Sequence, residues 1–187
     1  MEYGFVKGQR PPKEKIPARE GAHNPLRGAH TLPEGRRRGL FSVHIAPGGN
    51  RKTLPYLRET LKKAAREGQV DAALCAGPAD LLIVPRGAAA GTWARCRLTV
   101  GADPAGGGEE VTCGLGADRD LSLSSIREDG AMLSLRRDLR ALDGSLLEAQ
   151  EIPVSLAGGR EPEPEALLAA AGAMLLLGAD TSEGLRL

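Results

Sequence analysis

Apolar and polar residues alternate through Leu40-Phe41-Ser42-Val43-His44-Ile45, the pattern of a strand with one buried face. Gly48-Gly49-Asn50 breaks that run. Beyond it Leu54, Leu57, Leu61 and Ala64-Ala65 recur at helical spacing, with Thr53 as the expected N-cap and Pro55 tolerated in the first turn. Lys62, Lys63 and Arg66 suit the negative end of the helix dipole, and Gly68 is placed to end the helix. Val70 to Ala76 then reads as a buried strand, and Leu81-Leu82-Ile83-Val84, after Gly77-Pro78, as another. Strand, helix and strand at this spacing predict a βαβ unit with a right-handed crossover.

From Thr92 the pattern changes to short alternating runs: Trp93 to Val100, Glu110 to Cys113, Leu121 to Ile126, Ala131 to Leu135 and Glu151 to Leu156. Glycine-rich or acidic segments separate them, at 103–108, Asp129-Gly130 and Asp143-Gly144. These are hairpin signals, and an antiparallel or mixed sheet is expected. Pro162-Glu163-Pro164-Glu165 then has the acids and prolines of a helix start, leading into an alanine- and leucine-rich helix that ends near Leu177-Gly178. That helix is apolar on nearly every side, so it is expected to be buried against the sheet or against a protein partner or second copy. The fold class is therefore α/β, or α+β: a βαβ unit, a meander of short strands and a C-terminal buried helix.

Residues 1 to 39 carry neither period. Pro11-Pro12, Pro17, Pro25 and Pro33 oppose helix and sheet, and Lys7, Arg10, Lys13, Lys15, Arg19, Arg27 and Arg36-Arg37-Arg38 give the segment a basic excess. It reads as a flexible basic arm, leaving 40–187 as a single α/β domain. A solvated tail is its first interpretation; contact with nucleic acid or an acidic membrane surface is the alternative, though no interleaved aromatics favour base stacking.

Composition narrows the function classes. The chain of 187 residues is 41% hydrophobic, 26% charged and only 3% aromatic, so aliphatic side chains must do the packing. Cys75, Cys96 and Cys113 are odd in number and widely spaced, which fits neither a disulfide framework nor a metal knuckle and favours a reducing cytoplasm. No run approaches the about eighteen apolar residues of a membrane helix, and the polar, proline-rich start does not resemble a signal peptide.

Gly48, Gly49, Asn50, Lys52 and Thr53 lie between a strand and a helix, where backbone amides and the helix dipole can hold an anion. They form the one candidate binding site, set against the plainer reading of a turn and a helix cap. The spacing is not that of a P-loop, since Arg51 stands where glycine should precede Lys52. His44 is alone on its strand, and His23 and His30 fall in the arm. Cys75 reads as a small core residue. Ser122, Ser124 and Ser125 read as the outward face of a strand, with no nucleophile elbow around them. Arg136, Arg137, Asp138 and Arg140 read as a solvated edge. Asp118, Asp120, Glu128 and Asp129 match no calcium loop. No catalytic residue, metal site or cofactor is expected from these residues.

Residues 111–185 resemble the closing part of the central domain of the Mur ligases, ATP-dependent enzymes that join amino acids to cell-wall precursors. The resemblance runs through Val111-Thr112-Cys113-Gly114, Ala117-Asp118-Arg119-Asp120-Leu121-Ser122-Leu123-Ser124-Ser125-Ile126, Asp129-Gly130-Ala131-Met132-Leu133-Ser134-Leu135, Ile152-Pro153-Val154-Ser155-Leu156-Ala157-Gly158-Gly159, Ala166-Leu167-Leu168-Ala169-Ala170-Ala171 and Leu177-Gly178-Ala179-Asp180. It implies a strand ending in glycine, a meander, a glycine-bounded loop and an alanine-rich helix. Arg160 and Glu161 stand where the family has its nucleotide-holding His-Asn pair, and the Gly-Lys-Thr/Ser loop and the domain that closes over ATP are missing. The expectation is a non-enzymatic accessory or assembly protein associated with a cell-wall ligase. The alternatives are a small-ligand or phosphate-binding α/β protein or enzyme, and nucleic-acid contact through the arm.

Overall fold

The chain divides into two units, Met1–Gly35 and Arg36–Leu187. The computed structural model describes residues 39–89, 91–103, 109–127, 129–156 and 162–187. The expected arm over 1–39 therefore lies, but for its last residue, outside the described residues.

Strand β1 (Phe41–Ile45) buries Val43 and Ile45, as its alternation predicts. Helix α1 (Thr53–Arg66) follows and buries Leu57, Leu61 and Ala64 on a single stripe, the spacing that places residues one helical turn apart on one face. Gly68, at φ +72°, turns the chain out of the helix. Strand β2 (Ala72–Leu74) pairs parallel with β1. It is shorter and less buried than the expected run from Val70 to Ala76, because it sits at the sheet edge with a neighbour on one side only. Strand β3 (Ala79–Val84) pairs with the other side of β1, again parallel.

Strand β4 (Ala94–Val100) lies parallel to β3 and β5 (Glu109–Cys113) parallel to β4. The two strands flanking 103–108 are therefore not the antiparallel pair that the expected hairpin requires. Strand β6 (Leu121–Arg127) continues the parallel order, while β7 (Gly130–Leu135) and β10 (Gln150–Ser155) are antiparallel, with Gly130 opening the hairpin expected there. Two short strands, β8 (Leu139–Arg140) and β9 (Leu146–Leu147), form a separate hairpin around Gly144. Strand β11 (Leu185–Arg186) adds parallel to β10. The result is a mixed sheet of nine strands in the order β11-β10-β7-β6-β5-β4-β3-β1-β2, the α/β class expected.

Helix α2 (Pro164–Leu176) crosses β3 to β6 and packs on α1. Leu167, Leu168, Met174 and Leu175 are fully buried, each contributing about 2 kcal/mol relative to exposure. Gly172 permits the close approach: a Cβ there would lie 3.0 Å from Leu121 Cδ1 and 3.2 Å from Leu98 Cδ2. The Leu142 N–H donates to the Leu176 carbonyl at 2.8 Å, supplying a partner to one of the last carbonyls of α2. Every residue from Ala166 to Leu177 is buried within the chain, so of the two expectations for α2, burial against the sheet or against a partner, the structure shows the first. Among the described residues no helix is long and apolar enough to cross a membrane.

Both helices join the larger core with Val43, Ile83, Leu98, Val111, Leu133 and Ile152. Among the described residues the opposite side of the sheet has a small apolar cluster, Ala46, Leu82 and Val84. Farther along it is polar. Thr99 Oγ1 donates to Glu110 at 2.6 Å, and Asp120 Oδ2 accepts from the Thr112 N–H at 2.8 Å and from Arg137 Nη2 at 3.2 Å. Ser122 belongs to this layer and is 1% exposed, with Arg136 Nη2 donating to its hydroxyl. It is not the outward-facing serine the alternation predicts, because the long arginine side chain covers it.

Candidate functional site

The loop after β1 takes its shape from two glycines. Gly48 and Gly49 have φ of +121° and +78°, values that side-chain-bearing residues rarely adopt. A Cβ on Gly49 would also meet Pro85 Cβ at 2.8 Å, so only glycine lets this loop lie on the loop that leaves β3. Asn50 then shapes the entry to α1. Its Oδ1 accepts from the Lys52 N–H at 3.1 Å, and its carbonyl accepts from the Thr53 N–H at 3.1 Å. Thr53 is not the cap expected of it; Lys52 holds the N-cap position without a side-chain bond, and Thr53 is the buried first residue of the helix.

Gly48, Gly49, Asn50, Lys52 and Thr53 are thus on one loop at the carboxyl ends of parallel strands, where open α/β sheets place ligands. Two of their side chains already meet a carboxylate of the protein. Asn50 Nδ2 donates to Glu163 Oε2 at 2.5 Å, and Lys52 Nζ lies 3.9 Å from Glu163 Oε1. On the next loop Arg86 Nε donates to the Gly101 carbonyl at 3.0 Å, and its Nη1 lies 3.4 Å from Glu165 Oε1. The two carboxylates come from the start of α2, where negative charge also suits the helix dipole. An anion meeting the Asn50 amide or the Lys52 ammonium would have to displace Glu163.

Beside the loop, a cleft of about 750 Å³ runs along the exposed flank of α1. Arg51 and Lys52 line one end, Lys63 and Arg66 the other, and among the described residues Glu59 and Glu163 supply its acidic side chains. Pro55, Leu156, Ala166 and Leu187 supply apolar wall between them. Tyr56 and Thr60 add hydroxyls; burial pushes the Tyr56 phenol pKa up, partly offset by its hydrogen bond with Thr60. Sequence reading missed this cleft because its walls come from residues more than a hundred positions apart. Its one local signal is the stripe Lys52, Tyr56, Glu59, Lys63 and Arg66, spaced three or four apart along one helix face.

The remaining candidates do not converge. Cys75 is exposed rather than a core residue, with its sulfur 3.9 Å from the Pro78 carbonyl. Cys96 and Cys113 are buried, and burial raises both thiols, Cys96 to about 12. His44 Nδ1 lies 3.2 Å from the Cys75 carbonyl; His23 and His30 fall outside the described residues. Asp118 is paired with Arg119, and Asp120 with Arg137. Burial would raise the Asp120 carboxyl, but Arg137 and the Thr112 amide and hydroxyl outweigh it and hold the pKa below the ordinary value. Glu128 lies outside the described residues. Asp138 Oδ1 accepts from the Ala149 N–H and Arg140 donates to the Gly144 carbonyl, so the expected charged edge is partly engaged in local turns. Among the described residues no three His, Cys, Asp or Glu side chains are grouped to hold a metal ion. Comparison with known proteins finds no family model, no curated protein and no solved structure that matches this chain.

Proposed function

We propose that this chain is a non-enzymatic accessory or assembly protein of the cytoplasm, working beside a cell-wall ligase of the Mur type. The observation that carries the reading is the closure of the strand-end loops by the chain's own acids, Glu163 on Asn50 and Lys52 and Glu165 on Arg86. Phosphoryl chemistry needs positive charge and backbone donors free to meet a transferring phosphate. Here the side chains of Asn50, Lys52 and Arg86 face carboxylates. The likeness to the ligases is supported by order alone: β5 runs into Gly114, β6, β7 and β10 form a meander, and the apolar α2 is followed by Gly178. Three cysteines without a disulfide suit a reducing compartment.

Two measurements test the reading. Magnesium ATP should leave the melting temperature of the purified chain unchanged, whereas a ligand at one hundred times its Kd adds about 2.7 kcal/mol. In sedimentation velocity the chain should co-migrate with a purified Mur-type ligase. Stabilisation by ATP, or separate migration of the two proteins at tens of micromolar, overturns the proposal.

A further inference from the structure

The cleft along α1 has unmatched charge at both ends. Among the described residues Arg51, Lys63 and Arg66 have no carboxylate within ion-pair distance, while Glu59 is held by Lys62 at 3.2 Å and Glu163 by Asn50 and Lys52. Arg51 precedes the N-cap and no acid stands in the first turn, so positive charge is retained at the positive end of the helix dipole, against the usual preference. Thr53 to Arg66 covers roughly 20 Å at the rise of an α-helix. The two cationic ends are therefore too far apart for one small anion to bridge, and the wall between them is largely apolar.

We propose that this cleft docks an extended acidic segment of a partner polypeptide, with carboxylates at each end and apolar side chains between them. The inference rests on the reading of the chain as a binding protein and names the surface it uses. About six or seven extended residues match the cleft's length. Carboxylates at the ends meet Arg51, and Lys63 and Arg66; side chains between them rest on Pro55, Leu156 and Ala166, and Tyr56 offers its hydroxyl to the backbone. A nucleic acid fits less well, since a chain of evenly spaced phosphates would meet Glu59 and Glu163 within the same cleft. Residues 1–38, with nine basic and four acidic side chains, have the wrong sign to fill it.

Calorimetry with the full chain tests the docking site, using an end-blocked peptide of about seven residues with paired glutamates at both ends and Leu-Ala-Leu between. The glutamate peptide should bind at least about tenfold more tightly than the same peptide with glutamines, and Arg51→Glu with Arg66→Glu should weaken it by about the same factor. Both arginines are exposed, and the variant's melting curve checks that it folds; if it does not, the comparison of the two peptides still decides. Equal binding of the two peptides, no binding of either, an unaffected variant, competition by equimolar succinate, or tighter binding of a single-stranded oligonucleotide each overturns the proposal. Co-migration with the ligase alongside any of these results would leave the accessory reading standing. Charge-dependent peptide binding without co-migration would overturn that reading and leave the docking site.

Discussion

Asn50 donates to Glu163 at 2.5 Å across 113 positions of sequence, fastening the loop after β1 to the start of α2. The bond gives two of the loop's exposed polar side chains, Asn50 and Lys52, a carboxylate partner within the chain. Glu163→Ala should release Asn50 Nδ2 and Lys52 Nζ together. Because the ion pair is exposed, the loss of stability should be no more than about 1 kcal/mol. Inorganic phosphate should then raise the melting temperature of the variant and not that of the parent. An equal response in the two proteins would mean that Glu163 does not guard the loop.

The thiols should divide sharply by burial. Cys75 is exposed, while burial raises Cys96 to about 12 and Cys113 further, so neither buried sulfur is a thiolate at neutral pH. A disulfide reagent should therefore titrate a single thiol in the native protein and all three in denaturant. Cys75→Ser should abolish the native reaction. Rapid modification of a second native thiol would show that the sheet opens under β4 or β5 far more readily than their burial implies.

Asp120 joins β5, β6 and the residue following the turn out of β7, accepting from Thr112 and Arg137. Its pKa is lowered, as is that of Asp80, where hydrogen bonds from Ser42 and the charge of Arg95 outweigh the effect of burial. A carboxyl whose folded pKa lies below its unfolded value adds stability that is complete above about pH 4 and drains away as the pH falls through the folded value. Asp120→Ala should thus cost about 2 kcal/mol at pH 7, typical of hydrogen bonds to a charged group. Urea unfolding of parent and variant should converge below pH 4. A difference that stays constant into acid would assign the cost to packing.

Periodicity located β1, α1, the β6–β7 hairpin and α2 because each buries one face, or every face, in a local pattern. What it missed depends on partners distant in sequence. The glycine-rich stretch at 103–108 resembles a hairpin turn, yet Leu98 pairs with Val111 in parallel register, and composition does not encode strand direction. Leu185–Arg186 is too short to carry a period and becomes a strand only by pairing with Val154 and Ser155. Cys75 follows a strand expected to be buried, but that strand is at the edge. The five loop residues were legible as a group; Glu163, which meets Asn50 and Lys52, was legible only as part of a helix start.

At Gly172 helix α2 lies against Leu98 and Leu121 of the sheet, and substitution there separates two opposed effects. Alanine would gain roughly 1 kcal/mol of helix propensity over glycine. Its Cβ would meet Leu121 Cδ1 at 3.0 Å and the two Leu98 methyls at 3.2 and 3.3 Å. These are ends of flexible side chains, so a small shift can relieve the contact, and Gly172→Ala should change stability by less than about 1 kcal/mol in either direction. Gly172→Leu leaves no such escape, because Leu98 and Leu121 are themselves fully buried. It should cost about 3 kcal/mol, the upper range for overfilled cores, measured as the shift in urea midpoint at constant slope. A leucine variant as stable as the parent would show that α2 is not pressed against β4 and β6, and the account of the core would have to be redrawn around a looser helix.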